Sequence, residues 1–230
     1  VAPDGTSKRV SYGLINLTHK KDHEHIKPLV SDEWSNIEIT LNDLAHRFAV
    51  GHKIRVAIST AYWPIVWPSP APVNLSIATG DSTVNLPVRK TDGNEVLDFS
   101  IPEMAPVGKF RTIEPPFSSL SLSRDLAKGA WNQKLIEDHG IAHIEAINLD
   151  VGDGVTCQYS ITDDDPLSAT AVWNWHTLRR RKGWDLNIQT TTCLQSTATE
   201  FLIETSIVAT LAGKEVFRKN WDERVQRNGV

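Results

Sequence analysis

The feature that most constrains this chain is a strict alternation of apolar and polar residues along most of its length. In Trp34–Leu41 the residues Ile37, Ile39 and Leu41 share one side of an extended chain, with Asn36, Glu38 and Thr40 on the other. Lys53–Thr60 repeats the arrangement, with Ile54, Val56 and Ile58 opposite Lys53, Arg55 and Ser59. Val73, Leu75 and Ile77, then Val84, Leu86 and Val88, continue it across the turn Thr79-Gly80-Asp81-Ser82. Further on, Val155, Cys157, Tyr159 and Ile161 alternate, as do Ala169, Ala171, Trp173 and Trp175. Glu200–Leu211 places Phe201, Ile203, Ile207, Ala209 and Leu211 on one face. A period of two over short runs specifies half-buried strands of antiparallel sheets. The expected class is therefore all-β: an antiparallel β-sandwich, followed by a second antiparallel β-rich region.

Helical signals are sparse. Asn42 or Asp43 is placed to cap a short turn over Leu41–Phe48, which Gly51 then stops. Gly152-Asp153-Gly154 and Gly213-Lys214 supply turn chemistry between strands. A polar stretch, Lys90-Thr91-Asp92-Gly93-Asn94, marks a boundary at Arg89–Asn94. The organisation expected is a first unit over residues 1–90, a proline-rich connector over 91–117 and a β-rich unit over 118–230.

Composition narrows the classes of function. A formal net charge of -4 argues against a nucleic-acid footprint. No apolar run approaches the ~20 residues that span a bilayer, and Val1-Ala2-Pro3-Asp4-Gly5 has neither the charge nor the apolar stretch of a signal peptide. That beginning reads like the interior of a longer chain, and a cytoplasmic location is expected. Cys157 and Cys193 are expected to be buried free thiols, with a single bridge as the alternative.

The search for chemistry returns little. An α/β-type serine hydrolase needs its nucleophile on a Gly-x-Ser-x-Gly elbow. Gly5-Thr6-Ser7-Lys8-Arg9 and Gly80-Asp81-Ser82-Thr83-Val84 each lack the second glycine. No catalytic residue is assigned, and no cofactor is implied. His19, His23 and His25 are the nearest approach to a metal set, but Lys20, Lys21 and Lys27 crowd them, so a hydrogen-bonded surface loop is favoured. Asp163-Asp164-Asp165-Pro166 resembles a hard-cation loop in composition alone and reads better as a turn. Arg179-Arg180-Arg181-Lys182, before Gly183, reads as a solvated hairpin tip, with an anionic partner site as the alternative.

The most unusual stretch runs from Tyr62 to Pro72, where Pro64, Pro68, Pro70 and Pro72 deny it a central strand role. It is expected to be a stiff loop presenting Tyr62, Trp63 and Trp67, either docking on a neighbouring domain or lining a substrate channel. With eight tryptophans in the chain, heavy packing or a partner surface is expected. Trp173 and Trp175, two apart on a strand, suit core packing, with stacking on sugar rings as the alternative.

Four blocks carry a resemblance: Val1–Gly5, Gly13–His19, Leu41–Phe48 and Gly51–Ser59. Together they resemble consecutive parts of the C-terminal jelly roll of the CocE/NonD hydrolases, which are similar to X-Pro dipeptidyl-peptidases. Tyr62–Pro70, Asp165–Ala169 and Phe217–Arg227 resemble the loop and β-rich tail of a long-chain subgroup. The resemblance implies a galactose-binding-like fold and a partner, an α/β-hydrolase domain carrying the triad, which this chain lacks. In that family the Val1–Gly5 block falls midway through the jelly roll, so further strands are expected upstream. Without them apolar faces stay open, and self-association into a homo-oligomer is expected. The function implied is a non-catalytic accessory part of an ester, amide or X-Pro dipeptide hydrolase. Alternatives are a carbohydrate-binding β-sandwich or a small enzyme with a concealed Ser-His pair.

Overall fold

The computed structural model describes residues 1–88, 99–106 and 108–230. The boundary expected at Arg89–Asn94 lies outside these residues.

The protein is all-β, as the alternation requires. A single antiparallel sheet is built from β1 (Phe110–Glu114), β2 (Phe117–Asp125), β3 (Ala130–Ile144), β4 (Leu149–Thr162), β5 (Asp165–Arg181), β6 (Trp184–Ser196), β7 (Glu200–Leu211) and β8 (Lys214–Gln226). From β3 to β8 each strand pairs with the next in sequence, and β1 and β2 share the other side of β3. β1 therefore lies inside the stretch assigned to the connector.

Turn chemistry explains the meander. β4 and β5 are joined by Asp163-Asp164 with Asp164 at φ 59°, and β5 and β6 by Lys182-Gly183 with Gly183 at 76°. Ala212 at 48° and Gly213 at 79° close the β7–β8 hairpin. Two-residue loops with positive φ match the twist of paired strands. The acidic run and the basic run are thus both hairpin tips. Pro115 and Pro116 cannot extend a ladder, and they divide the edge into β1 and β2. Opposite them β3 bulges between Asp138 and Ile141. Gly140 sits in that bulge at φ 69°, where an added Cβ would lie 2.2 Å from the main-chain oxygen of Glu114.

Register sorts the two faces. One cross-strand row runs Leu135, Cys157, Trp173, Thr192, Thr205 and Trp221, and the next runs Gln133, Tyr159, Ala171, Leu194, Ile203 and Glu223. The opposite face carries Lys134, Gln158, Thr156 and Asn174. The small core, Val155, Cys157, Ala169 and Ala171, sits over β4 and β5 on the first face.

Residues 1–88 behave differently. They contain a single-turn 3-10 helix, Leu17–His19, capped by the Asn16 side chain, and no paired strand. Main-chain hydrogen bonds link Val1 with Lys53 (2.7 and 2.9 Å) and Asn42 with Tyr12 (3.0 Å). The strand-patterned residues Ile54, Val56 and Ile58 remain 58%, 58% and 55% exposed. Alternation marks which face of a segment is to be buried; it supplies neither the neighbouring strand nor the opposing layer that makes a ladder stable.

Two local expectations need correcting. No helix forms over Leu41–Phe48. His46 and Phe48 instead place their rings 4.9 Å apart, a contact between residues i and i+2 that suits an extended chain. Gly152-Asp153-Gly154 is no turn but the interior of β4. Its glycines serve close approach: a Cβ on Gly154 would meet the His176 ring at 2.3 Å, and one on Gly152 would meet the Gly140 oxygen at 3.1 Å. Among the described residues, no helix is long and apolar enough to cross a membrane.

Candidate functional site

The stiff loop lies against the apolar face of the sheet, and the junction is built from aromatic rings. A turn closed by Val66 N–H donating to the Tyr62 oxygen (2.9 Å) brings Trp63 and Trp67 together at 4.9 Å, edge to face. Trp63 then meets Tyr159 of β4 at 6.0 Å, and Trp67 meets Phe201 of β7 at 5.9 Å. Tyr159 passes the chain of contacts to Trp173 at 6.0 Å. Such pairs add about 0.5–1.5 kcal/mol each beyond area burial. Their polar atoms are satisfied: Trp67 Nε1 donates to Ser196 Oγ (2.9 Å) and Trp173 Nε1 to the Tyr159 hydroxyl (3.1 Å). Burial pushes the Tyr159 phenol up from its ordinary value.

Arg227, just beyond β8, secures the same junction. Its guanidinium is buried and lies over the Phe201 ring at 5.1 Å. It donates to the main-chain oxygens of Pro68 (2.6 Å), Thr197 (3.0 Å) and Val230 (2.8 Å), and to Ser196 Oγ (3.1 Å). Burial lowers its pKa from the ordinary value. A planar fork can bind several divergent acceptors at once, which an ammonium cannot. Next to it, the Gly229 oxygen accepts from Asn16 Nδ2 (2.7 Å) and Thr18 Oγ1 (2.6 Å).

The sequence-expected residues therefore divide. Trp63 and Trp67 enter the junction. Tyr62 belongs to a separate cluster, its hydroxyl accepting from Arg9 and its ring 5.9 Å from Tyr12. Trp173 is engaged by Tyr159, whereas Trp175 stays half exposed. Sequence reasoning missed Arg227 and Ser196, for which alternation gives no signal. Tyr159 and Phe201 stood on alternating faces, but nothing in the sequence named the loop as their partner.

The remaining candidates hold other partners. His19 Nδ1 is 3.2 Å from His23 Nδ1 and its Nε2 3.3 Å from the Asn228 oxygen, while His25 turns to Asp22. Among the described residues, no three His, Cys, Asp or Glu side chains come together to hold a metal. Asp163 is taken by Arg124 and by Trp131 Nε1 (3.0 Å). The basic tip is partly neutralised: Arg179 pairs with Asp153 (3.0 Å) and Arg180 with Asp150 (3.1 Å). The His143 hydrogen bond (2.7 Å), with Arg180 in support, lowers the Asp150 carboxyl below the usual carboxylate range. Ser82 Oγ is spent on the Ala78 oxygen (2.8 Å) within its own turn.

Cys157 and Cys193 are both free thiols, pushed up by burial. They project from opposite faces of β4 and β6 with β5 between, ~9–10 Å of sheet, beyond the ~7 Å limit for a bridge.

What these features define is an all-β scaffold that holds a rigid aromatic loop. Residues 1–95 match the family described as the X-Pro dipeptidyl-peptidase C-terminal non-catalytic domain. The match covers the four blocks that carry the resemblance and the Tyr62–Pro70 loop; Asp165–Ala169 and Phe217–Arg227, with the whole eight-strand sheet, lie outside the family's span. No curated protein and no solved structure matches the chain.

Proposed function

We propose that the chain is a non-catalytic accessory part of a serine α/β-hydrolase of the ester, amide or X-Pro dipeptidyl-peptidase type, docking on the catalytic domain and contributing to the substrate entrance. The observation that carries this reading is the similarity of residues 1–95 to a non-catalytic domain of such enzymes. The geometry of the loop supports it. Trp63 and Trp67 anchor the loop from behind, and Ile65 and Val66 face outward, exposed. A pre-ordered apolar knob loses little entropy on docking. The open faces of residues 1–88 add apolar surface of the kind that marks a partner site, either the catalytic domain or a second copy.

The test is reconstitution with the α/β-hydrolase domain of an X-Pro dipeptidyl-peptidase. The complex should be captured by pull-down and should hydrolyse X-Pro-p-nitroanilides or p-nitrophenyl esters faster than the catalytic domain alone. The double variant Ile65→Asp, Val66→Asp should lose both effects while keeping its far-UV spectrum. A wild-type chain that neither binds nor alters activity would sink the proposal. A second reading, a carbohydrate-binding module, is favoured only by the exposed ring of Trp175; glycan-array binding abolished by Trp175→Ala would establish it in place of the first.

A further inference from the structure

Among the described residues β8 ends the sheet, with β7 on one side and no strand on the other. All of its residues, Lys214–Gln226, are exposed. Such an edge offers a row of free main-chain donors and acceptors to another strand. Its charge is not scattered. Arg218 and Lys219 are followed, after Asn220 and Trp221, by Asp222 and Glu223. Among the described residues Lys219, Asp222 and Glu223 form no ion pair, and Arg218 has only the exposed Glu215 three residues away. A positive pair and a negative pair spaced about a neutral centre are self-complementary under a two-fold axis.

We infer that β8 pairs antiparallel with β8 of a second copy of this chain, with Asn220 on the two-fold axis, joining two sheets into one. In that register Arg218 lies directly opposite Asp222 of the second copy on the polar face. On the other face Lys219 lies opposite Trp221 of the second copy and diagonal to its Glu223, within reach of a long side chain. Lys219 already lies 4.6 Å over the Trp221 ring of its own strand, so the cation–aromatic contact carries over. Neighbouring registers fail. Centring on Lys219 sets Lys219 against itself and centring on Asp222 sets Asp222 against itself; centring on Trp221 pairs Lys219 with Glu223 but sets Arg218 against Arg224 and leaves Asp222 opposite the neutral Asn220. The opposite edge, broken by Pro115 and Pro116, carries no charge pattern that selects a partner. This surface is distinct from the loop and from the open faces of residues 1–88, so its test is independent of any hydrolase.

Light scattering on the wild-type chain should give twice the 25.6 kDa chain mass, falling toward one chain mass in high salt. Charge reversal by Asp222→Lys with Glu223→Lys, or by Arg218→Glu with Lys219→Glu, should raise the dissociation constant about 100-fold. Mixing the two reversed variants should restore the dimer as a heterodimer, since the four charges at 218, 219, 222 and 223 are then all positive on one edge and all negative on the other. Far-UV spectra establish that each variant is folded. As a charge-neutral check, Asn220→Cys should cross-link to a disulfide dimer under mild oxidant, and Lys214→Cys should not. A wild-type monomer at about 100 µM, reversed variants that dimerise unchanged, folded variants that do not associate on mixing, or no Asn220→Cys cross-link would each overturn the inference.

Discussion

Arg227 is the place where the structure makes its sharpest quantitative claim. Replacing it by methionine keeps an apolar stem over Phe201 and removes the donors to Pro68, Thr197, Ser196 and Val230. Bonds from a charged donor contribute about 1.5–3 kcal/mol each, and a buried acceptor left unpaired costs about 1–3 kcal/mol. Against this stands the cost of burying the guanidinium, which also lowers its pKa. With two or three acceptors stranded and water reaching some of them, the net loss is about 3 kcal/mol. That loss should fall on the junction, not on the sheet, because Arg227 lies outside every strand ladder. Hydrogen exchange resolves the two. Amides of the Tyr62–Pro70 loop should exchange about 150-fold faster in Arg227→Met, since 1.4 kcal/mol is tenfold, while those of β5 keep their protection. Arg227→Lys should recover only part, lacking the fork. Loop exchange within about threefold of wild type would be under 1 kcal/mol and would refute the argument. Equal losses in loop and sheet would show that Arg227 holds the sheet together instead.

Other expectations follow from single contacts. Ser196→Ala strands the Trp67 Nε1 donor and removes one of the two acceptors of Arg227 Nη1, which keeps the Thr197 oxygen, and should cost about 1–3 kcal/mol in urea unfolding. Gly140→Ala combines a positive φ with a Cβ 2.2 Å from the Glu114 oxygen, so a loss of about 2 kcal/mol or more is expected by thermal melting. Asp150, depressed by His143 and Arg180, contributes stability that is present above its unfolded pKa and lost as pH falls through its folded one. Asp150→Asn should therefore flatten the acid limb of the melting temperature as pH falls below about 4. Cys157 and Cys193, both pushed up by burial, should react with a disulfide reagent at pH 8 much more slowly in the native chain than in urea.

The alternation made the β class legible, and it located β7 at its observed bounds, Glu200–Leu211. Hairpin tips were legible too where charge and glycine coincide, as at Arg179–Gly183. The glycines at 152 and 154 misled because turn propensity is local, whereas their need for space comes from His176 and from the β3 bulge. The first 88 residues show the converse. Their pattern is as regular as that of β4 or β7, yet pairing is a property of two segments, and one segment's pattern names no partner. For the candidate site, Trp63 and Trp67 stood out by composition. Arg227 did not, since an arginine in a polar tail resembles any surface arginine until four oxygens converge on it.

The Asn16–Gly229 hydrogen bond and the Pro68–Arg227 contact close loops of 213 and 159 residues. Their consequence is one of order in time. During synthesis the loop and the 3-10 turn emerge first, and all eight strands are made before the residues that lock them. Until those residues emerge the first segment has no latch, and its apolar surface must wait for the sheet to finish. Non-local closure of this kind is slow and leaves intermediates exposed. The order of synthesis thus places every strand ahead of closure: the junction that Trp63 and Trp67 begin shuts only once Arg227 and Gly229 have emerged behind the sheet.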